Sequence, residues 1–164
     1  MKTLLILRHA KSSWKHPGLS DHDRPLNPRG QRDAPNVGKR LRDEGLIPDI
    51  LLSSTAKRAR QTAQAVADES GCPGELQLSE GFYGGGPEAY LEALRSLPGV
   101  VDCALVVGHN PDLEELVDIL TGESVRMPTA ALAHVELDIQ AWQDLNEDEQ
   151  AKLVDLWTPR ERPS

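Results

Sequence analysis

A chain of 164 residues has room for one domain and not comfortably for two. Hydrophobic residues make up 38%, enough for a core, and the 27% that are charged is ordinary for a soluble globular protein. Eighteen Lys and Arg against 26 Asp and Glu leave a net charge of −8, which excludes a dedicated nucleic-acid binder and adhesion to an anionic membrane, so any phosphate must be held by a local cluster of Arg and His.

The early apolar run Leu4–Leu7 is shorter than the core of about seven residues that a signal peptide needs. Nothing approaches a membrane span of about 20 residues, and the cytoplasm is the expected location. Cys72 and Cys103 are too few for a disulfide framework or a thiolate metal site and read as buried small apolar residues.

Apolar runs alternate with helical patterns, the signature of βα units around a mostly parallel sheet, so the expected fold class is α/β. Thr3 to Leu7 reads as a strand covered on both faces. Asn27 caps a helix with Pro28 at its first position, Ala34, Val37 and Leu41 on one face, and Gly45 at its end. Pro35 is expected to kink that helix or delay its start. Asp49 to Leu52 is a second strand. Ser54 or Thr55 caps the next helix, with Ala56, Ala59, Ala63, Val66 and Ala67 at helical spacing and Gly71 as the stop. Leu76 to Glu80 reads as a third strand. After the turn Gly84-Gly85-Gly86, Pro87 opens a helix with Tyr90, Leu91, Leu94 and Leu97 inward. Ala104 to Val107 is a central fourth strand. Asn110-Pro111 repeats the cap-plus-proline start, with Leu113, Leu116, Val117 and Leu120 inward and Gly122 at the end. Ala131 to Leu137 is a fifth strand. Glu147 to Trp157 reads as a C-terminal helix packed by Trp142 and Trp157, with Asn146 to Gln150 its solvated start. One domain over residues 1–158 is expected, with 159–164 a frayed tail.

Two places share one design. Arg8-His9 follows the first strand, and Gly108-His109-Asn110-Pro111 follows the fourth. In open α/β sheets the ligand crevice lies beyond the carboxyl ends of the strands, so the two His residues are expected to face one crevice. Ser53-Ser54 ends the second strand, and Arg58 and Arg60 lie in the first turns of the helix behind it, which makes an anion site from backbone N–H groups and guanidinium forks. The chemistry this suits is phosphoryl transfer, where catalysis is mostly positioning and charge stabilisation. A neutral His can attack phosphorus if one tautomer is fixed, and water then hydrolyses the phosphohistidine. With Arg and His supplying the positive charge, no metal and no cofactor are required. Asp21-His22-Asp23 reads as a polar loop, because consecutive residues suit no usual zinc spacing.

Leu7-Arg8-His9-Ala10, Arg58-Ala59-Arg60-Gln61-Thr62-Ala63 and Val107-Gly108-His109-Asn110 resemble the signatures of the histidine phosphatase (phosphoglycerate mutase-like) superfamily. Asp23-Arg24-Pro25-Leu26-Asn27, Arg29-Gly30 and the turn Phe82-Tyr83-Gly84 resemble its small SixA-like branch of protein phosphohistidine phosphatases, and the likeness runs from about residue 2 to about 138. It implies a three-layer sandwich with helices on both faces of the sheet. It implies His9 as the nucleophile, with Arg8, Arg58 and His109 neutralising the phosphoryl oxygens. Arg60 falls at a variable position of the motif. Glu80 falls where larger members place a carboxylic proton donor, a role that burial has to support. Arg24 is implied to line the entrance and select substrate; its other reading is a pair with Asp21 or Asp23.

The short span from Glu80 to Pro87 leaves little for a lid. An open crevice favours phosphohistidine on a protein, in a phosphorelay for example. The alternatives are a phosphatase for small phosphate esters and a phospho-ligand binding module without turnover. A phosphomutase, which must shield its phosphoenzyme from water, fits less well.

Overall fold

The computed structural model describes residues 1–147 and 151–159. Its strands are β1 (Lys2–Arg8), β2 (Ile50–Ser54), β3 (Leu76–Ser79), β4 (Cys103–Gly108), β5 (Leu132–Leu137) and β6 (Ala151–Trp157). Its helices are α1 (Pro28–Asp43), α2 (Lys57–Ser70), α3 (Pro87–Arg95) and α4 (Asp112–Thr121). One mixed sheet has the order β3-β2-β4-β1-β5-β6, parallel from β3 to β1 and antiparallel at β5 and β6.

Alternation along each strand builds the two cores. Leu4, Ile6, Leu52, Ala104 and Val106 face α3 and α4, where they meet Tyr90, Leu91, Leu94, Leu113, Leu116 and Val117. Leu5, Leu7, Leu51, Leu105 and Val107 face α1 and α2, where they meet Ala34, Val37, Leu41, Ala59, Ala63 and Val66. The inner strands are buried on both faces, which is why they read as unbroken apolar runs. Each fully buried Leu or Val contributes about 1.5–3 kcal/mol, an upper bound for area removed from water.

Several expectations need correction. Among the described residues the expected C-terminal helix does not form: residues 151–157 form strand β6 beside β5, Glu147 lies outside any helix, and Asp148 to Gln150 are outside the described residues, as are 160–164 of the expected tail. Trp142 lies in a short 3₁₀ turn (Trp142–Asp144) and donates its indole N–H to Val101 O at 2.7 Å inside the α3–α4 core, while Trp157 packs on the opposite face of the sheet. Helix α1 starts at Pro28 and runs through Pro35, so its start is not delayed; the carbonyl that loses a partner belongs to exposed Gln31. Asn27 does cap α1, accepting from Gly30 N at 2.8 Å. Asn110 does not cap α4: its side-chain amide donates to Met127 O at 2.8 Å, and Pro111 precedes a helix without a side-chain cap. Neither Ser54 nor Thr55 caps α2: its N-cap position is Ala56, without a side-chain cap, and Ser54 Oγ accepts instead from Ala56 N at 3.2 Å. Cys72 and Cys103 are half-buried, and burial raises both thiol pKa values.

Candidate active site

Register brings the distant motifs together. β1 and β4 are neighbours with Arg8 paired to Gly108, and His9 N continues the ladder by donating to Gly108 O at 3.1 Å. The imidazoles of His9 and His109 therefore stand side by side, ring centroids 5.1 Å apart. β2 borders β4 on its other side, so Ser54 and the first turn of α2 arrive at the same edge. Arg8, His9, Arg58 and His109 line one cavity of about 270 Å³, together with Lys11, Ser12, Trp14, Arg24, Asn110 and Thr129.

His9 is only 6% exposed. One ring nitrogen, Nδ1, lies 2.7 Å from Ala10 O. A carbonyl can only accept, so Nδ1 carries the proton and Nε2 keeps its lone pair. Burial, aided by the charges of His109, Arg58 and Arg8, drives the His9 pKa down to about 3. His109 is held by Ser54 Oγ, 2.8 Å from its Nε2, and burial followed by the Arg58 charge lowers its pKa to about 4. Ser54 Oγ accepts from Ala56 N and can donate its own proton to His109 Nε2, and in that tautomer the His109 proton sits on Nδ1. That nitrogen is buried without a partner, and so are Arg8 Nε and Arg58 Nε. Partnerless buried donors on three residues of one cavity call for an acceptor from outside the chain, and an oxyanion supplies several acceptor atoms at once.

The helix motif also works on the backbone. Thr62 Oγ1 accepts from Ala10 N at 3.0 Å and donates to Arg58 O at 2.7 Å, and Gln61 Oε1 accepts from Leu26 N at 2.8 Å. On the far side Ala130, with φ at 61°, shares its N–H between Arg8 O and His9 O. The end of β1 is thus clamped from two directions.

Arg58 is 6% exposed and donates to Asp21 O at 2.8 Å and Asp21 Oδ2 at 3.1 Å. Asp21 also accepts from Tyr83 Oη at 2.7 Å and Arg24 Nε at 3.1 Å, which hold its carboxyl down at about 2. The polar loop expected at 21–23 is thus a 3₁₀ turn (Asp21–Asp23) whose first residue is the counterion of two arginines. The pair of Asp21 with Arg24 was open to the sequence through their closeness in the chain and is borne out; the pair with Arg58 and the place of Tyr83, whose ring stands edge-on to His109 at 5.5 Å, had no such cue. Among the described residues no group of three or more His, Cys, Asp or Glu could hold a metal ion.

Arg24 reaches the cavity wall, but its donors go to Asp21, to Ser12 Oγ at 2.6 Å and to Ser13 O at 3.3 Å, so it braces the loop. Arg60 turns back to Thr55 O at 2.9 Å and does not line the cavity. Glu80 opens a 3₁₀ turn (Glu80–Phe82), is exposed and lies outside the cavity lining, so the burial expected of a proton donor is missing.

A family profile described as histidine phosphatase superfamily (branch 1) matches residues 4–83. An uncharacterized protein of Mycobacterium tuberculosis is 34% identical over 165 residues, covering 94% of this chain and all of the relative. A crystal structure of a candidate phosphohistidine phosphatase SixA from Agrobacterium tumefaciens superposes with TM-score 0.82 at 30% identity, covering 96% of this chain and 98% of that one. The chain belongs to the histidine phosphatase superfamily. Within it the SixA-like branch is the match, and the fold is the phosphoglycerate mutase-like α/β architecture. A further SixA-like structure, a protein histidine phosphatase solved with tungstate, has TM-score 0.80 at 25% identity and covers 94% of this chain and 95% of that one. No helix among the described residues of this histidine phosphatase family member is long and apolar enough to cross a membrane.

Proposed function

We propose that this phosphatase hydrolyses phosphohistidine on a protein through a covalent phosphohistidine on His9. The observation that carries the reading is a buried, neutral His9 with Nδ1 tied to Ala10 O, in one cavity with Arg8, Arg58 and His109. His9 Nε2 attacks phosphorus, and the P–N bond to the substrate imidazole breaks. Arg8, Arg58 and His109 Nδ1–H hold the phosphoryl oxygens while charge redistributes. A water then attacks the phosphorus on His9, releasing inorganic phosphate and restoring the imidazole.

Transfer from one imidazole nitrogen to another exchanges like bonds, and a protonated imidazole leaves readily. No carboxylic acid is needed in the first step, which suits a site that leaves Glu80 in solvent. A phosphate ester, by contrast, expels an alkoxide and gains from a donor acid. A cavity of about 270 Å³ lies just under the usual range for enclosing a small ligand, roughly 300–1,000 Å³, and suits a phosphoryl group with one ring. The remainder of the substrate then lies outside, as it does for a side chain on a protein. The SixA-like relatives and the tungstate-bound protein histidine phosphatase support the same substrate class.

The test compares a phosphohistidine protein with 4-nitrophenyl phosphate as substrates. We expect kcat/KM higher by about 10²-fold for the phosphohistidine protein, with both activities unchanged in Glu80→Gln. Equal turnover of the two, or a large loss on the phosphohistidine protein in Glu80→Gln, would overturn the reading in favour of a phosphoester phosphatase.

A further inference from the structure

The cavity mouth carries unspent positive charge on an acidic protein. From Leu7 to Ser20 the chain has no Asp or Glu, while Arg8, Lys11 and Lys15 fall within that stretch. Every residue from Trp14 to Ser20 is exposed, and Lys11 and Trp14 also line the cavity. The stretch is not loose: Ser12 bridges to Leu26, Ser13 N donates to Pro25 O at 2.8 Å, Lys15 N to Ser13 Oγ at 3.1 Å, and Leu19 N to His16 O at 3.0 Å. Its neighbouring carboxylates are already engaged. Asp21 is held by Arg24, Arg58 and Tyr83, and Asp23 by Ser20 and His22. Among the described residues neither Lys11 nor Lys15 has an ion-pair partner.

Trp14 is 78% exposed, an unusual position for the largest apolar side chain. It rests on the Arg24 guanidinium, 3.5 Å from the ring centroid. Arg24 is 8% exposed and pinned by Asp21, Ser12 and Ser13, so the indole stands on a fixed support. The same Asp21 carboxylate reaches Arg58, which joins the rim to the phosphoryl site through Trp14, Arg24, Asp21 and Arg58.

We infer that Lys11, Trp14 and Lys15 form a docking lip for the substrate chain, selecting phosphorylated histidines that carry acidic residues beside them. The inference rests on the protein-phosphohistidine reading and adds what the protein must look like next to its phosphorylated residue. The indole supplies a flat face for side chains flanking the phosphorylated ring, and the two ammonium groups pair with their carboxylates. Complementary charge on such a rim acts on encounter and selectivity more than on the chemical step.

The experiment uses the full chain and three probes: free phosphoramidate, and two phosphohistidine peptides of one length whose histidine is flanked by Glu or by Lys. We expect the Glu-flanked peptide to show a kcat/KM about tenfold above that of the Lys-flanked peptide. Lys15→Glu brings that ratio to one or below and leaves phosphoramidate hydrolysis unchanged, which also reports that the variant is folded. Trp14→Ala raises KM for both peptides with little change in kcat. A wild-type ratio near one, or a ratio that survives Lys15→Glu, overturns the docking lip while the substrate class stands. Turnover of phosphoramidate with neither peptide accepted overturns the substrate class and the lip with it.

Discussion

The His9 imidazole owes its chemistry to two local facts, burial that drives its pKa to about 3 and the Ala10 carbonyl that fixes its proton on Nδ1. His109 behaves alike, at about 4. An NMR titration of the ring protons is therefore expected to show both imidazoles neutral from pH 8 down to about 5; midpoints near the ordinary 6.5 would contradict the burial argument. The same shifts set the sign of a stability effect. Both groups have folded pKa values below the unfolded value, so the unfolded chain takes up their protons first. Their contribution is complete above about pH 6.5 and is lost as pH falls toward 4 and 3. Arg58 is a fork engaged with Asp21 along one edge, with Nε left for an outside acceptor. Arg58→Ala should lower kcat by about 10²–10³-fold, and Arg58→Lys should not restore it, because a single ammonium cannot reproduce the planar geometry. Steady-state kinetics on a phosphohistidine substrate check this, and near-wild-type kcat in Arg58→Lys would exclude a fork-specific role.

Asn-Pro occurs twice at a helix start, and only one pair behaves as its local chemistry suggests. At α1, Asn27 caps Gly30 N; at α4, the Asn110 amide is drawn away to Met127 O, on the segment that also receives Arg8 Nη1. A tertiary partner outbid the local one, and nothing within a few residues of Asn110 announces it. Asn27→Ala should accordingly cost about 1 kcal/mol and lower Tm by about 2–4 °C, measured by calorimetry, with activity retained. Strand β6 shows a different kind of illegibility. Its pairing with β5 slips between His134 and Val135, which leaves Val154 as the extra residue of a bulge. The bulge puts Leu153 and Leu156 on one face and Trp157 on the other. In sequence those residues fall at i, i+3 and i+4, which is the spacing of a helix face. The bulge turned a period of two into an apparent period of 3.6. Gly108 was legible as part of a motif, but its reason is steric: a Cβ there would run into the Tyr90 hydroxyl and ring, which sit under the start of the His109 loop. Gly108→Ala should destabilise the protein by about 1–3 kcal/mol in denaturant unfolding and displace His109.

The sheet order is what assembles the site, and that much could be read from residues alone. Arg-His after β1 and Gly-His after β4 each end an apolar run, and strands buried on both faces belong in the middle of a sheet, where their carboxyl ends share one edge. The pair of Asp21 with Arg24 is local and was legible; the rest of the counterion network was not, because Asp21 reaches Arg58 and Tyr83 only after the loop of residues 9–27 folds back over the edge of α2. The assembled result is a cationic hollow on a chain of net charge −8. An oxyanion such as tungstate at about 100 times its Kd should stabilise the folded chain by about 2.7 kcal/mol, read as a rise in Tm, and Arg58→Ala should abolish the rise. What all of this serves is a phosphoryl group passing through His9. Rapid acid-free quenching after mixing with a phosphohistidine protein, followed by mass spectrometry of the digested enzyme, looks for that intermediate. The expected result is phosphate on His9 alone, lost on acid treatment, with at least about 10³-fold lower turnover and no labelling in His9→Ala. Turnover that proceeds in His9→Ala, or phosphate found on any other side chain of the wild type, would contradict it.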